Sequence, residues 1–224
     1  HKEYRRQRQM CIRDRPISVS ICGYALAAAI IFTYVGQSGE YAVAGYGVGT
    51  RIEQVVLLPI LGINTAIISI IAQNYGANNL VRIKETYFTA IKYAFIIMIT
   101  AGTLVFLSAS VITSFFSNDP EVIEYGKRYL KISAFVLPAY PVFFLSNGFF
   151  MALKKSENAM ISNFFRNVLN PIAVFYIAKY INASFETFFW LWVGINWFFS
   201  ISYFFIIIYY FKLKLNKSSA VVQP

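Results

Sequence analysis

Asn163, Arg166, Asn167 and Asn170 stand at i, i+3, i+4 and i+7. That spacing puts four hydrogen-bonding side chains, one of them a cation, along a single stripe of a helix. Two readings of the stripe stand side by side. It lines a water-accessible cleft, with Arg166 bonded to carbonyls or shaping a conformational switch. Alternatively, Arg166 snorkels to a membrane surface while the asparagines join neighbouring helices. Asn64, Thr65, Ser69 and Gln73 form a comparable stripe near Pro59, with the same pair of readings. Tyr140, between Pro138 and Pro141 and followed two turns on by Asn147, offers an aromatic face to an organic cation. In a chain with 22 Phe and 16 Tyr, ordinary packing is the competing account.

The acids limit the chemistry. From Pro16 to Phe211 the carboxylates are Glu40, Glu53, Glu85, Asp119, Glu121, Glu124, Glu157 and Glu186, all expected at helix ends or in loops. None is expected at mid-membrane depth, where a proton or sodium relay needs one. Arg51 and Glu53 are two apart, so they point to different sides of a helix, and a headgroup-layer location is expected for both. The only His is His1 and the two Cys are Cys11 and Cys22. No disulfide framework, metal cluster or embedded acid pair follows from these, so no enzyme and no cofactor is expected.

These residues sit on elements of an unusual kind. The chain of 224 residues is 58% hydrophobic and 13% charged, with a mean hydropathy of +0.55; soluble domains carry roughly 25% charged residues. Its apolar residues fall into blocks that meet the requirement of about 20 residues for a bilayer crossing. Six spans are predicted: about 16–36, 41–74, 87–116, 122–153, 158–178 and 185–211. The fold class expected is an all-α integral membrane protein. Pro59 and Gly62 should bend the second span, and Asn170-Pro171 interrupts the fifth. Ser117-Asn118-Asp119-Pro120-Glu121 reads as an N-cap with proline at the first helical position and an acid in the first turn. Trp190, Trp192 and Trp197 resemble interfacial anchors.

The net charge of +10 does not indicate nucleic acid. Six Lys/Arg against two acids lie in residues 1–15. Met10-Cys11-Ile12-Arg13-Asp14-Arg15 is what an in-frame transposase-tag adapter encodes, so 1–15 is expected to be non-native and is set apart from fold reasoning; a native basic arm attracted to anionic lipid is the alternative. Alternating the loops collects Arg82, Lys84, Lys154, Lys155, Lys212, Lys214 and Lys217 on one side, against Lys127, Arg128, Lys131 and Lys179 on the other. The first side, with the tail 212–224, is therefore expected to be cytoplasmic.

Three stretches together resemble the multidrug and toxic compound extrusion (MATE) family. Ala42 to Asn79, ending in Gln73-Asn74-Tyr75-Gly76-Ala77-Asn78-Asn79, looks like that family's eighth helix and its glycine-containing exit, with Gly76 as the positive-φ residue of the turn. Asp119 to Lys155 looks like its tenth helix, and Met160 to Ala178, with Arg166 and Pro171, its eleventh. The form of the exit is most similar to the DinF-like and related bacterial multidrug branches. The resemblance implies twelve helices in two lobes, with this chain as the C-terminal six-helix lobe of a partial sequence, 16–211, and the N-terminal lobe as its missing partner. It further implies a proton- or sodium-coupled antiporter of the bacterial inner membrane that exports small amphipathic, often cationic compounds by lobe rocking. Asn163, Arg166, Asn167, Asn170, Asn64, Gln73, Tyr140 and Asn147 are the cavity candidates, and the coupling carboxylate is expected in the absent lobe. A lipid-linked saccharide flippase of the wider superfamily, or a non-transporting membrane subunit or degenerate half, are the alternatives.

Overall fold

The computed structural model describes residues 23–154 and 156–220. The basic segment 1–15, and with it the adapter reading, lies outside the described residues, as do 16–22 of the first predicted span. The described chain is helical throughout: α1 (Gly23–Gly36), α2 (Glu40–Gly76), α3 (Leu80–Ser114), α4 (Pro120–Ser133), α5 (Tyr140–Ala152), α6 (Ser156–Phe164), α7 (Asn170–Tyr180) and α8 (Phe185–Ala220). A 3-10 turn (Leu137–Ala139) joins α4 to α5 and a π turn (Phe165–Leu169) joins α6 to α7, so the eight helices make six rods. Glu40–Gly76, Leu80–Ser114, Pro120–Ala152 and Phe185–Lys212 are each long and apolar enough to cross a membrane. The α4–α5 rod is the central one: 72% of its apolar window is buried, against 17% in α2.

Local chemistry explains where the helices stop. α2 ends at Gly76, but Gly76 is not the left-handed residue. Asn78 is, at φ 55, and asparagine tolerates that region better than most residues. The Asn79 backbone N–H donates to the Asn74 carbonyl at 2.9 Å, closing α2. The Asn79 side chain then accepts from the Arg82 N–H at 3.0 Å and opens α3. The same asparagines thus end one helix and begin the next. That is why the third span starts at Leu80, a full two turns before the predicted Tyr87. Replacing Asn79 by Ala should lower the thermal stability of the purified protein by about 1 kcal/mol, the usual worth of such a cap.

Asp119 caps α4, accepting from the Glu121 N–H at 2.9 Å with Pro120 in the first turn, as its sequence predicts. Downstream, Pro138 and Pro141 lack N–H groups and break the rod. Two α8 side chains reach the carbonyls of the break: Trp197 Nε1 donates to Phe135 O at 2.8 Å and Ser200 Oγ to Ala139 O at 3.1 Å. Trp197 therefore acts as a helix-to-helix bond, and Trp192 lines a cavity; only Trp190 stays half exposed. α8 continues to Ala220, so the predicted tail from 212 begins as helix, a run of lysines and apolar residues being no obstacle to it.

Glycines set the closest approach. A Cβ on Gly45 would lie 2.7 Å from Gly126 N and 2.8 Å from Val122 O, and a Cβ on Gly49 would collide with the Tyr129 ring. α2 and α4 are held together by this Gly45–Gly49 face, with small residues four apart. Tyr129 is thereby pressed against α2 one turn before Glu53.

Candidate functional site

A cavity of about 240 Å³ opens in the middle of the bundle, walled by α1, α2, α4, α5, the α6–α7 rod and α8. Glu53 projects into it from α2. It lies 13 residues beyond Glu40, about 20 Å along the helix at 1.5 Å per residue. Tyr140 donates its hydroxyl to Glu53 Oε1 at 2.5 Å, and Tyr129 donates to Oε2. Glu53 thus faces the interior of the bundle, where two tyrosines hold it, rather than headgroups as the sequence reading expects. Gly45, Gly49 and Glu53 are four apart, so the carboxylate belongs to the face that packs inward. Arg51 is exposed, on the other side.

Arg166 faces Glu53 across the cavity from the π turn. Its Nε donates to Asn196 Oδ1 at 3.2 Å, and Asn196 Nδ2 donates in turn to Trp192 O at 2.8 Å. The guanidinium carbon lies 4.2 Å from the Phe143 ring centre, 5.0 Å from Tyr140 and 5.5 Å from Phe144. Arg166 thus turns into the bundle, where three aromatic faces offset part of the cost of taking a cation out of water. Among the described residues, the ion pairs run Arg82–Glu85, Lys127–Glu124, Arg128–Glu124 and Arg128–Glu186, all elsewhere. Arg166 and Glu53 communicate through Tyr140 instead, whose hydroxyl holds the acid and whose ring carries the cation.

The π turn decides where the polar stripe goes. Pro171 has no N–H to give to the carbonyl four residues back, and the Asn170 N–H bonds to Phe165 O, five residues back. One residue is thereby inserted into the turn, which rotates everything after it relative to an unbroken α-helix. Asn163, Arg166 and Asn167 line the cavity. Asn170 does not: it is 1% exposed, and both its amide atoms lack a partner among the described residues. Tyr140 lines the cavity, whereas Asn147 is buried behind it, donating to Asn163 Oδ1 at 3.5 Å and accepting from the Tyr203 hydroxyl at 3.4 Å.

The second stripe divides. Asn64 fits against α5 only because Gly148 has no Cβ, and its Oδ1 is buried without a partner among the described residues. Thr65, Ser69 and Gln73 lie on the exposed side of α2. Gln73 is therefore away from the cavity: it sits in the last turn of α2, and its carbonyl accepts from Ala77 N at 3.1 Å in the closing bonds. Reading by period missed Glu53, Tyr129 and Asn196. Glycine spacing on α2 carries a signal for Glu53, but the other two meet the site only through tertiary packing.

Six rods, five of them walling one cavity that a carboxylate and a guanidinium line, are the architecture of one lobe of a membrane transporter. The comparisons agree. Residues 16–176 match the MatE family model, and the chain belongs to that family, the multidrug and toxic compound extrusion transporters. It is 25% identical over 158 residues to an FAD transporter of Shewanella oneidensis, covering 70% of this chain and 35% of that protein. Against the probable multidrug resistance protein YpnP of Bacillus subtilis, identity is 26%, over 73% of this chain and 34% of the relative. Among solved structures, a MOP superfamily transporter from Pyrococcus furiosus superposes with a TM-score of 0.82 at 22% identity, covering 90% of this chain and 45% of the other. A MATE transporter in the straight conformation gives a TM-score of 0.81 at 21% identity, with the same coverage of 90% and 45%. The chain therefore spans about a third of the length of these curated relatives and under half of the solved structures.

Proposed function

We propose that this chain forms one lobe of an ion-coupled exporter of amphipathic organic compounds, cationic ones included, that works by rocking against a second six-helix lobe. The observation that carries the reading is the cavity itself. It places a carboxylate, a guanidinium and several aromatic faces around one space at the centre of the bundle. Transporters of repeated architecture hold cargo and coupling ion near the bilayer midplane, between their repeats. Aromatic walls suit a flat organic cation, and Glu53 is a group of the kind that a proton or sodium ion requires. The resemblance alone assigns the coupling acid to the other lobe; Glu53, with two tyrosine donors and no ion pair among the described residues, makes a second candidate within this one. The loop charges favour a cytoplasmic C-terminus in a bacterial inner membrane.

The test is Arg166→Ala in the full transporter that contains this chain. Removing the guanidinium strips the cavity wall of its cation and of three stacking contacts, each worth about 0.5–2 kcal/mol when desolvated. Export of a fluorescent organic cation should fall by about threefold to tenfold while the amount of protein in the membrane stays normal. Unchanged export would reduce Arg166 to a packing residue and remove the main support for a working cavity here.

A further inference from the structure

Lys131 is a cation that the central cavity does not use. It stands two residues past Tyr129, which lines the cavity, and so points to the other side of α4. There it lies half-buried between α3 and α8. Its Nζ sits 5.6 Å from the ring centre of Phe106 on α3. Phe106 packs edge-on against Phe135 at 5.9 Å, and Phe135 meets Trp190 of α8 at 5.3 Å. Phe135 and Trp190 are each 48% exposed, beside an outer face of α3 that shows Leu104, Leu107 and Val111. α3 and α8 are both long and apolar enough to cross a membrane, so this side of the bundle meets lipid.

The charges nearby leave Lys131 over. Glu124 takes Lys127 at 2.7 Å and Arg128 at 3.0 Å, and Arg128 Nη1 reaches Glu186 of α8 at 3.4 Å. Two cations and two acids thus close on one another. Glu121, in the first turn of α4, is about 15 Å further along the helix. Lys131 itself has no acid and no hydrogen-bond partner among the described residues.

Depth orders the groove as a lipid is ordered. The α8 span of 28 residues is about 42 Å long, some 12 Å more than the hydrocarbon core. Trp190, near its start, therefore falls at the edge of the hydrocarbon, where indole rings concentrate. Phe135 packs at that level, and Lys131, about one turn before it, stands among headgroups. The cation is outermost and the rings lie beneath it. A net-negative headgroup supplies the missing charge, and its acyl chain covers the rings. Free phosphate shares the first property and lacks the second.

We infer that Lys131, Phe106, Phe135 and Trp190 form a lateral site for an anionic phospholipid of the leaflet opposite the C-terminus, its phosphate on Nζ and a chain along the rings. The site goes beyond export, since a lipid can bind this outer face whatever cargo occupies the cavity.

Trp190 is a built-in reporter. The full transporter that contains this chain is placed in nanodiscs, and the Trp190 signal is read as the fluorescence lost in Trp190→Phe. Phosphatidylglycerol and phosphatidylcholine with the same dibrominated chains differ in net charge alone. The anionic lipid should quench Trp190 at about fivefold lower mole fraction, the worth of one lysine at a membrane surface. Lys131→Gln should bring the two lipids together, whereas Lys84→Gln, an exposed cation at the other end of the bundle, should leave the preference intact. Equal quenching by the two lipids in the unsubstituted protein overturns the site without recourse to any Lys131 variant. So does a preference that survives Lys131→Gln. A preference that millimolar inorganic phosphate erases overturns the lipid in favour of a soluble anion.

Discussion

Glu53→Gln is expected to abolish uphill, ion-driven export by the transporter that contains this chain, while exchange of cargo down its own gradient persists. The substitution keeps the volume of the side chain and removes two properties at once. The negative charge that a proton or sodium ion would meet is gone. The pair of acceptors is also broken, because one carboxylate oxygen becomes an NH2 group. Tyr129 and Tyr140 donate to opposite oxygens of Glu53, so one tyrosine now faces a donor, at a cost of about 1–3 kcal/mol if it finds no other acceptor. If Tyr140 is the one displaced, its ring also leaves Arg166, which it carries at 5.0 Å.

Two readouts separate the possibilities. Loss of gradient-driven accumulation by about tenfold or more, with exchange retained, identifies Glu53 as a coupling group. Loss of both, with protein still inserted, indicates a cavity that has collapsed, and Tyr140→Phe should then reproduce it. Full retention of driven export returns the coupling role to the other lobe, where the family resemblance alone assigns it.

The helices and the family were legible because they rest on local signals. Asp119-Pro120 starts a helix by its own chemistry, and blocks of some twenty apolar residues leave few alternatives to spanning rods. What was less legible depends on register and on distant partners. Arg166 belongs to a polar stripe that an unbroken 3.6-residue period would extend to Asn170. The missing N–H of Pro171 converts the preceding turn to a π turn, and the stripe splits after Asn167. Pro171 is visible in the sequence, so the interruption was too, but not its sense of rotation. Gln73 carried the right periodicity on α2, yet its face lies beyond the reach of α4 and α5 and is exposed.

Glu53 is the instructive case. Arg51, two residues earlier, suggests a headgroup-layer location for both, and hydropathy alone places acids at helix ends. The spacing to Gly45 and Gly49 points the other way. Two glycines four apart mark the side of a membrane helix where another backbone approaches, and an acid four residues further lies on that side. Which groups receive it could not be read, since Tyr129 and Tyr140 are 76 and 87 residues away in sequence.

That glycine face makes a second large effect predictable, and its sign runs against helix propensity. Alanine in place of glycine within a helix usually adds about 1 kcal/mol of stability. Gly47→Ala should do so here, because nothing lies within 4 Å of the added Cβ. Gly45→Ala, two residues earlier on the same helix, should do the reverse. Its Cβ would come within 2.7 Å of Gly126 N and 2.8 Å of both Val122 O and Tyr125 Cβ. Two of these three atoms belong to the backbone of α4, which cannot rotate away as a side chain can. Relief requires α2 and α4 to separate, at an expected cost of about 2–3 kcal/mol in overpacking. Separation also draws Tyr129 from Glu53: its ring is wedged between Tyr46 at 5.0 Å and Phe189 at 4.8 Å and moves with its helix. Melting temperatures of the two purified variants should therefore shift in opposite directions, with driven export reduced only in Gly45→Ala. Parallel shifts would mean that α2 and α4 stand further apart than this packing requires, and that the glycines do not set the geometry of the acid.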